Sequence, residues 1–222
     1  MRIGIIGAGH IGGNIGQQAA ARSGHEVLLS FARDAAKLES LAKDPGGSAG
    51  TPADADAVAF GDVVVISVPW SAVPFALEQA GSLQDKVVID TTNQFGSGLM
   101  PVSGETAAAF NKARMPGARY VKCFNTLTSA FQAATASRAE SERVVQWICG
   151  DDEGAKEIVA RLVLDMGYTP VDLGGTETCA VMEAPRRQAS VYGEEYRLTE
   201  AQAVVEAVRS GRPIPPTPHH GS

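Results

Sequence analysis

Short apolar runs alternate with amphipathic stretches along most of the 222 residues, the rhythm of repeated strand–helix units around a parallel sheet. Residues 2–6 predict a first strand. Residues 11–23 predict a helix, stopped by Gly24. Residues 26–30 predict a second strand. Asp34 caps a predicted helix over 35–43, which Pro45, Gly46 and Gly47 end. Thr51 and Pro52 open a short alanine-rich helix. Residues 63–68 are almost all β-branched, which predicts a strand buried on both faces. A helix over 71–80 and a strand over 86–90 follow. A turn-rich loop over 93–101 leads to a helix near 106–112. Strand 120–124, helix 128–136, strand 144–149, helix 153–166 and strand 169–172 complete the series. After Gly174 and Gly175 the pattern is helical over 176–209, broken by Pro185 and by Gly193. The last twelve residues, "GRPIPPTPHHGS", predict an extended or mobile tail. His219 and His220 in it are not read as a metal site.

Composition changes this picture little. The chain is 44% hydrophobic and 20% charged, with a net charge of −6 and no basic block, which argues against a nucleic-acid partner. No apolar run approaches the roughly 20 residues of a membrane helix. The N-terminus enters a strand pattern directly, so no signal peptide is expected. Cys123, Cys149 and Cys179 are odd in number and widely spaced, suiting neither a disulfide framework nor a zinc site. A reducing, cytoplasmic setting is the expectation.

The first candidate chemistry lies between strand 2–6 and helix 11–23, in Gly7-x-Gly9-x-x-Gly12. Between a strand and a helix this pattern is a dinucleotide cradle. Gly7 permits the tight turn, Gly9 lets the backbone approach a pyrophosphate, and Gly12 lets the helix pack on the strand. The helix N-terminus, at His10 and Ile11, offers free N–H groups to the phosphates. Gly12, Gly16 and Ala20 share one nearly bare helix face. An NAD enzyme places an acid at the end of the second strand; here Leu29, Ser30 and Phe31 stand there. Ser30 with Arg33 and Lys37, two cations four apart, suits a 2′-phosphate instead, so NADP(H) is favoured over NAD(H). Three further strand ends converge on the same edge. "SVPW" offers Val68 and Pro69 beneath the ribose and pyrophosphate and Trp70 as a pocket wall. "DTTNQF" offers Thr91, Thr92 and Asn93. "KCFNTL" offers Asn125 to the nicotinamide or its ribose. The fold expected is a Rossmann-like, doubly wound α/β unit with a mainly parallel sheet over 1–174. A small helical C-terminal segment with a proline-rich tail occupies 175–222.

"IGIIGAGHIGGNIG", Ser30 with Arg33, Asp34 and Lys37, "VVVISVPW", "DTTNQF" and "VKCFNTL" together resemble the NADPH-dependent reductases of the deazaflavin coenzyme F420 and their bacterial dinucleotide-binding relatives. The resemblance spans roughly 1–175. The same motifs occur in the cytoplasmic domains of membrane metalloreductases. The resemblance implies NADP(H) at the glycine turn, Arg33 and Lys37 near the 2′-phosphate, and a homodimer. One departure concerns the residue before Arg33. The family often has a small hydroxyl or amide there, and this chain has Ala32, which leaves the 2′-phosphate site one ligand short unless Ser30 substitutes. The region from Thr176 resembles the bacterial relatives more than the deazaflavin reductases.

No catalytic constellation is evident. His10 sits in the glycine turn, no lysine stands in an acid–base arrangement, and Cys123 reads as a buried thiol. Transfer of a hydride between nicotinamide and a deazaflavin or flavin needs mainly spaced, stacked rings, because the cofactors carry the chemistry. The leading expectation is therefore NADP(H)-dependent hydride exchange with a redox cofactor such as coenzyme F420 or a flavin. The alternatives are an NADPH reductase of a small carbonyl or imine, and a non-catalytic NADP(H) sensor. Arg186 and Arg187 could meet an anionic substrate tail, or pair with Glu194 and Glu195. The Tyr/Glu/Arg pattern around them reads as an amphipathic face.

Overall fold

The β-branched runs form the middle of a seven-stranded sheet, ordered β2-β1-β3-β4-β5-β6-β7. The structure, a computed structural model, describes residues 1–30, 53–101, 104–184 and 190–220. The strands are β1 (Arg2–Ile6), β2 (Glu26–Ser30), β3 (Val63–Ile66), β4 (Val87–Asp90), β5 (Arg119–Lys122), β6 (Val145–Cys149) and β7 (Thr169–Gly174). The helices are α1 (His10–Ser23), α2 (Asp54–Phe60), α3 (Val73–Ala80), α4 (Ala107–Ala113), α5 (Ser129–Thr135), α6 (Glu153–Asp165) and α7 (Leu198–Arg209). All neighbouring strands pair in parallel except β5 and β6, which are antiparallel. The α/β, mainly parallel reading of the sequence holds.

Alternation along each strand divides the core in two. Val63 and Val65 of β3 belong to one apolar layer, with Ile15 and Ala19 of α1 and Val159 of α6. Val64 and Ile66 belong to the other, with Ala57 of α2, Val73 of α3 and Val204 of α7. Burial on both faces explains why β3 reads as one continuous apolar run rather than an alternation. β2 lies on one side of β1 and β3 on the other. The strand order therefore reverses at the β1/β3 boundary, and the crevice outside the carboxyl ends of these strands is where an open α/β sheet binds ligands.

Two expectations change. Strand β5 stops at Lys122, two residues early, because Phe124 adopts a left-handed backbone (φ 59°) that no strand accommodates. The helix expected over 176–209 is two pieces, a 3₁₀ turn at Thr178–Met182 and α7. Between them, the backbone N–H of Val191 donates to the Val181 carbonyl, that of Gly193 to Thr126, and that of Val145 to Tyr196. Residues 190–197 thus pair their backbone with other segments rather than within a helix. Their Tyr/Glu spacing follows this docking, not an amphipathic helical face. The predicted helix over 35–43 and the Pro185 break lie outside the described residues.

Candidate functional site

The glycine turn fills the β1/β3 boundary. Gly7 has φ 110°, and a Cβ there would lie 2.2 Å from the Ser67 carbonyl oxygen. A Cβ on Gly12 would lie 1.9 Å from the Gly7 carbonyl oxygen. Both positions require glycine because backbone meets backbone. Gly9 is different: a Cβ there would meet nothing within 4 Å. It is exposed and open above the turn, room that a pyrophosphate would need. The Gly7 N–H is occupied by the Ser30 carbonyl (3.0 Å), and Gly13 N–H bonds to the Gly9 carbonyl (2.9 Å). The first amides of α1, from His10 to Gly12, precede the first intrahelical donor and have no partner within the helix. No acid stands in that first turn, so the positive end of the helix dipole is not neutralised.

At the ends of β4 and β5 the site is made of side chains. Asp90 and Lys122 are fully buried, their Oδ2 and Nζ 3.4 Å apart. Asp90 also accepts from Asn111 Nδ2 (2.9 Å), the Tyr120 hydroxyl (2.6 Å) and the Thr92 N–H (2.8 Å). Lys122 donates to the Thr92 carbonyl at 2.9 Å. Burial pushes the Asp90 carboxyl up, but Lys122 and these donors outweigh it and hold it below the usual carboxylate range. This network fixes the strand ends that carry Asn93 and Asn125.

Those two residues bracket each other. Asn93 Nδ2 donates to the Asn125 carbonyl (2.8 Å), and Asn125 Nδ2 donates to Asn93 Oδ1 (3.1 Å) and the Met182 carbonyl (2.8 Å). The Met182 carbonyl fixes which way the Asn125 amide faces. Among the described residues its Oδ1 is then a buried acceptor without a hydrogen bond, an arrangement that awaits a donor. The left-handed Phe124 sets the turn beside the cleft. Both asparagines line a cavity of ≈ 320 Å³, together with Ile11 of α1, Thr91, Thr126 and Tyr192. An amide N–H, such as that of a carboxamide, would satisfy Asn125 Oδ1. With Gly9 open and the α1 amides free, the residues present fit a dinucleotide laid from the glycine turn toward β5.

The structure thus brings Ile11, Asn93 and Asn125 to one cavity beside Gly7, Gly9 and Gly12, with His10 exposed at the start of α1. Val68 is buried, its Cγ1 only 3.1 Å from a Cβ placed on Gly7, and Pro69 is exposed beside it. Two expected contacts are corrected. Trp70 is buried under Phe110, ring centroids 5.9 Å apart, and its indole N–H donates to the Leu99 carbonyl at 2.8 Å. It secures the loop after β4 rather than walling the cavity. Ser30 is fully buried, and its hydroxyl lies 2.7 Å from Asp54 Oδ1 and 3.3 Å from the Ile5 carbonyl. Its one hydroxyl hydrogen is therefore directed inward, not toward a phosphate. Arg33, Lys37, Arg186 and Arg187 lie outside the described residues. Sequence reasoning missed Tyr192 and Thr126 as cavity residues. They arrive from different segments, joined by the Gly193 N–H to Thr126 carbonyl bond (2.9 Å), and no periodicity signals that meeting.

Comparisons with known proteins agree with this geometry. Residues 2–94 match the family described as "NADP oxidoreductase coenzyme F420-dependent", an NADP-dependent oxidoreductase family. The metalloreductase STEAP3 of Rattus norvegicus is 25% identical over 186 residues, 82% of this chain and 36% of that protein. The chain therefore spans about a third of the length of this curated relative. Among solved structures, a hypothetical protein of Sinorhizobium meliloti, SMa0349, aligns with a TM-score of 0.76 and 25% identity. That alignment covers 89% of this chain and 95% of the other. A candidate F420-dependent NADP-reductase from Arthrobacter sp. FB24 aligns with a TM-score of 0.63 and 27% identity, covering 80% and 86%. The resemblance read from the motifs is borne out. Among the described residues, no helix is long and apolar enough to cross a membrane.

Proposed function

We propose that this chain, whose residues 2–94 match the F420-dependent NADP oxidoreductase family, exchanges a hydride between NADP(H) and a second redox ring. The leading ring is the deazaflavin coenzyme F420, with a flavin as its variant. Residues 1–174 bind the dinucleotide and residues 175–222 cover the nicotinamide end. The pyrophosphate rests over Gly7, Gly9 and Gly12, with the amides of His10 and Ile11 beneath it. Arg33 and Lys37 take the 2′-phosphate. Asn125 and Asn93 hold the carboxamide end, and the working unit is a cytoplasmic homodimer. The observation that carries this reading is the unpaired Asn125 Oδ1 in a cavity that begins at Ile11, beside the glycine turn. Its volume lies at the lower end of the roughly 300–1,000 Å³ typical of small-molecule sites.

A second reading, reduction of a small carbonyl or imine, is favoured by one observation: Tyr192, a titratable hydroxyl, lines the same cavity. The non-catalytic sensor has no such observation behind it. The test is NADPH oxidation by the purified protein with coenzyme F420, flavins and a panel of carbonyls and imines. Turnover with coenzyme F420 or a flavin supports the first reading, and turnover with small carbonyls alone overturns it. Arg33→Ala should weaken NADPH binding by about 1.5–3 kcal/mol, the loss of a charge-assisted contact, and leave NADH unchanged. Equal losses for both nucleotides would remove Arg33 from the 2′-phosphate.

A further inference from the structure

Hydride transfer delivers two electrons and one hydrogen, and most acceptors also need a proton. Among the described residues lining the ≈ 320 Å³ cavity, Tyr192 is the one titratable side chain; the others are apolar, amide, hydroxyl or glycine residues. Its ring stands edge-on to Phe95, with centroids 6.2 Å apart. Its backbone is held on both sides: its own N–H donates to Ser190 Oγ (3.1 Å), and the Gly193 N–H donates to the Thr126 carbonyl (2.9 Å). A half-buried phenol fixed in this way can present its hydroxyl to whatever the cavity holds.

The geometry points to Tyr192 as the proton donor to the hydride acceptor bound in this cavity, an inference that rests on the hydride-transfer reading above. The hydride leaves the reduced nicotinamide and bonds to an acceptor carbon, oxidising NADPH to NADP⁺. The electron pair displaced from the acceptor's double bond moves to a conjugated nitrogen or oxygen. That atom takes the hydrogen of the Tyr192 O–H bond, and the phenolate recovers a proton from solvent. A deazaflavin ring and a small carbonyl or imine share this requirement, a polar atom conjugated to the carbon that is reduced. Burial raises the phenol above its ordinary range, so it stays protonated at neutral pH, as a donor must. The charged residues nearest it in sequence are Glu194 and Glu195, and Glu195 is paired with Arg138 and, at 3.8 Å, with Arg197.

Tyr192→Phe keeps the ring against Phe95 and removes only the hydroxyl. Two measurements test the assignment. The first is the alkaline absorbance titration of the phenols, with NADP⁺ or NADPH bound and the Tyr192→Phe protein as the blank. The nicotinamide of NADP⁺ is cationic and that of NADPH is neutral. If Tyr192 faces that ring, NADP⁺ lowers its midpoint by about half a pH unit or more relative to NADPH. The second is turnover with coenzyme F420, flavins and small carbonyls, expected to fall about 100-fold or more in Tyr192→Phe at unchanged NADPH affinity. Equal midpoints with the two nucleotides, or undiminished turnover in the variant, overturn the assignment. Failure of the wild-type protein to bind NADPH would instead strike the underlying hydride-transfer reading. It appears separately, as no change in nucleotide fluorescence on mixing.

Discussion

At the β1/β3 boundary the candidate site is backbone: glycines that admit no Cβ, free helix amides, and space above Gly9. At the β4/β5 end it is side chains: the asparagine pair, supported by a buried Asp90–Lys122 network. The first end owes its shape to what is missing from the residues, the second to what they carry. A phosphate makes the same demands in any dinucleotide, so a backbone cradle suffices. The reacting end must be specific, and specificity comes from fixed polar groups with satisfied partners.

The sharpest way to break this contrast is at Lys122. Lys122→Met leaves the buried Asp90 carboxylate without its counter-charge and should cost about 3–5 kcal/mol in urea unfolding at neutral pH. The pH dependence should also invert. In the wild type Asp90 titrates below its unfolded value, so its contribution is present above about pH 4 and is lost as pH falls through the lower folded value. Without Lys122, burial dominates and raises Asp90, so the variant should recover stability on acidification. A variant within 1 kcal/mol of wild type, or one whose acid response is unchanged, would mean that Lys122 does not anchor this end.

The backbone end predicts a split between two glycines. Gly12→Ala drives a Cβ into the Gly7 carbonyl and should destabilise by about 1–3 kcal/mol, with NADPH binding lost as the turn shifts. Gly9→Ala meets no protein atom. Its stability should match wild type while NADPH affinity falls by about tenfold, because the added methyl occupies the phosphate's room. Thermal melts with nucleotide titrations measure both quantities. If Gly9→Ala binds NADPH normally, the pyrophosphate does not cross this turn.

The same contrast explains what could be read from the sequence. Gly7, Gly9 and Gly12 were legible because a turn between a strand and a helix leaves few other residues possible. The sheet was legible because strands buried on both faces are continuous apolar runs. The covering of the site was not. Residues 190–197 pair with Val181, Thr126 and Val145 through backbone bonds, and such pairing leaves no trace in side-chain spacing. Trp70 was misread for a related reason. An aromatic at a strand end can line a cleft or fill a core, and only the Leu99 carbonyl and the Phe110 ring decide between them. The Asp90–Lys122 pair did leave a signal, an acid and a base each set in an apolar strand, whose partnership appears only when β4 and β5 align Asp90 with Lys122.

Asp54 offers the smallest effect and a fine test at the β2 end, where the two kinds of construction meet. Its carboxylate is buried, one oxygen accepts from Ser30, and the other has no hydrogen bond among the described residues. Burial raises its pKa, and the Ser30 bond offsets only part of that. The charged form is thus less favourable in the folded protein than in the unfolded chain. That cost is present at neutral pH and disappears as pH falls through the raised folded value, the opposite sign to Asp90. Asp54→Asn keeps an oxygen for Ser30 and removes the charge, so it should stabilise by about 0.5–1 kcal/mol at neutral pH. The gain should fade in acid. The substitution also removes a negative charge behind the end of β2, where a 2′-phosphate would lie, so the preference for NADPH over NADH should rise rather than fall. A destabilised variant, or a gain that persists in acid, would show that Asp54 is stabilised by contacts stronger than its Ser30 bond. An unchanged nucleotide preference would place the 2′-phosphate beyond the reach of this carboxylate.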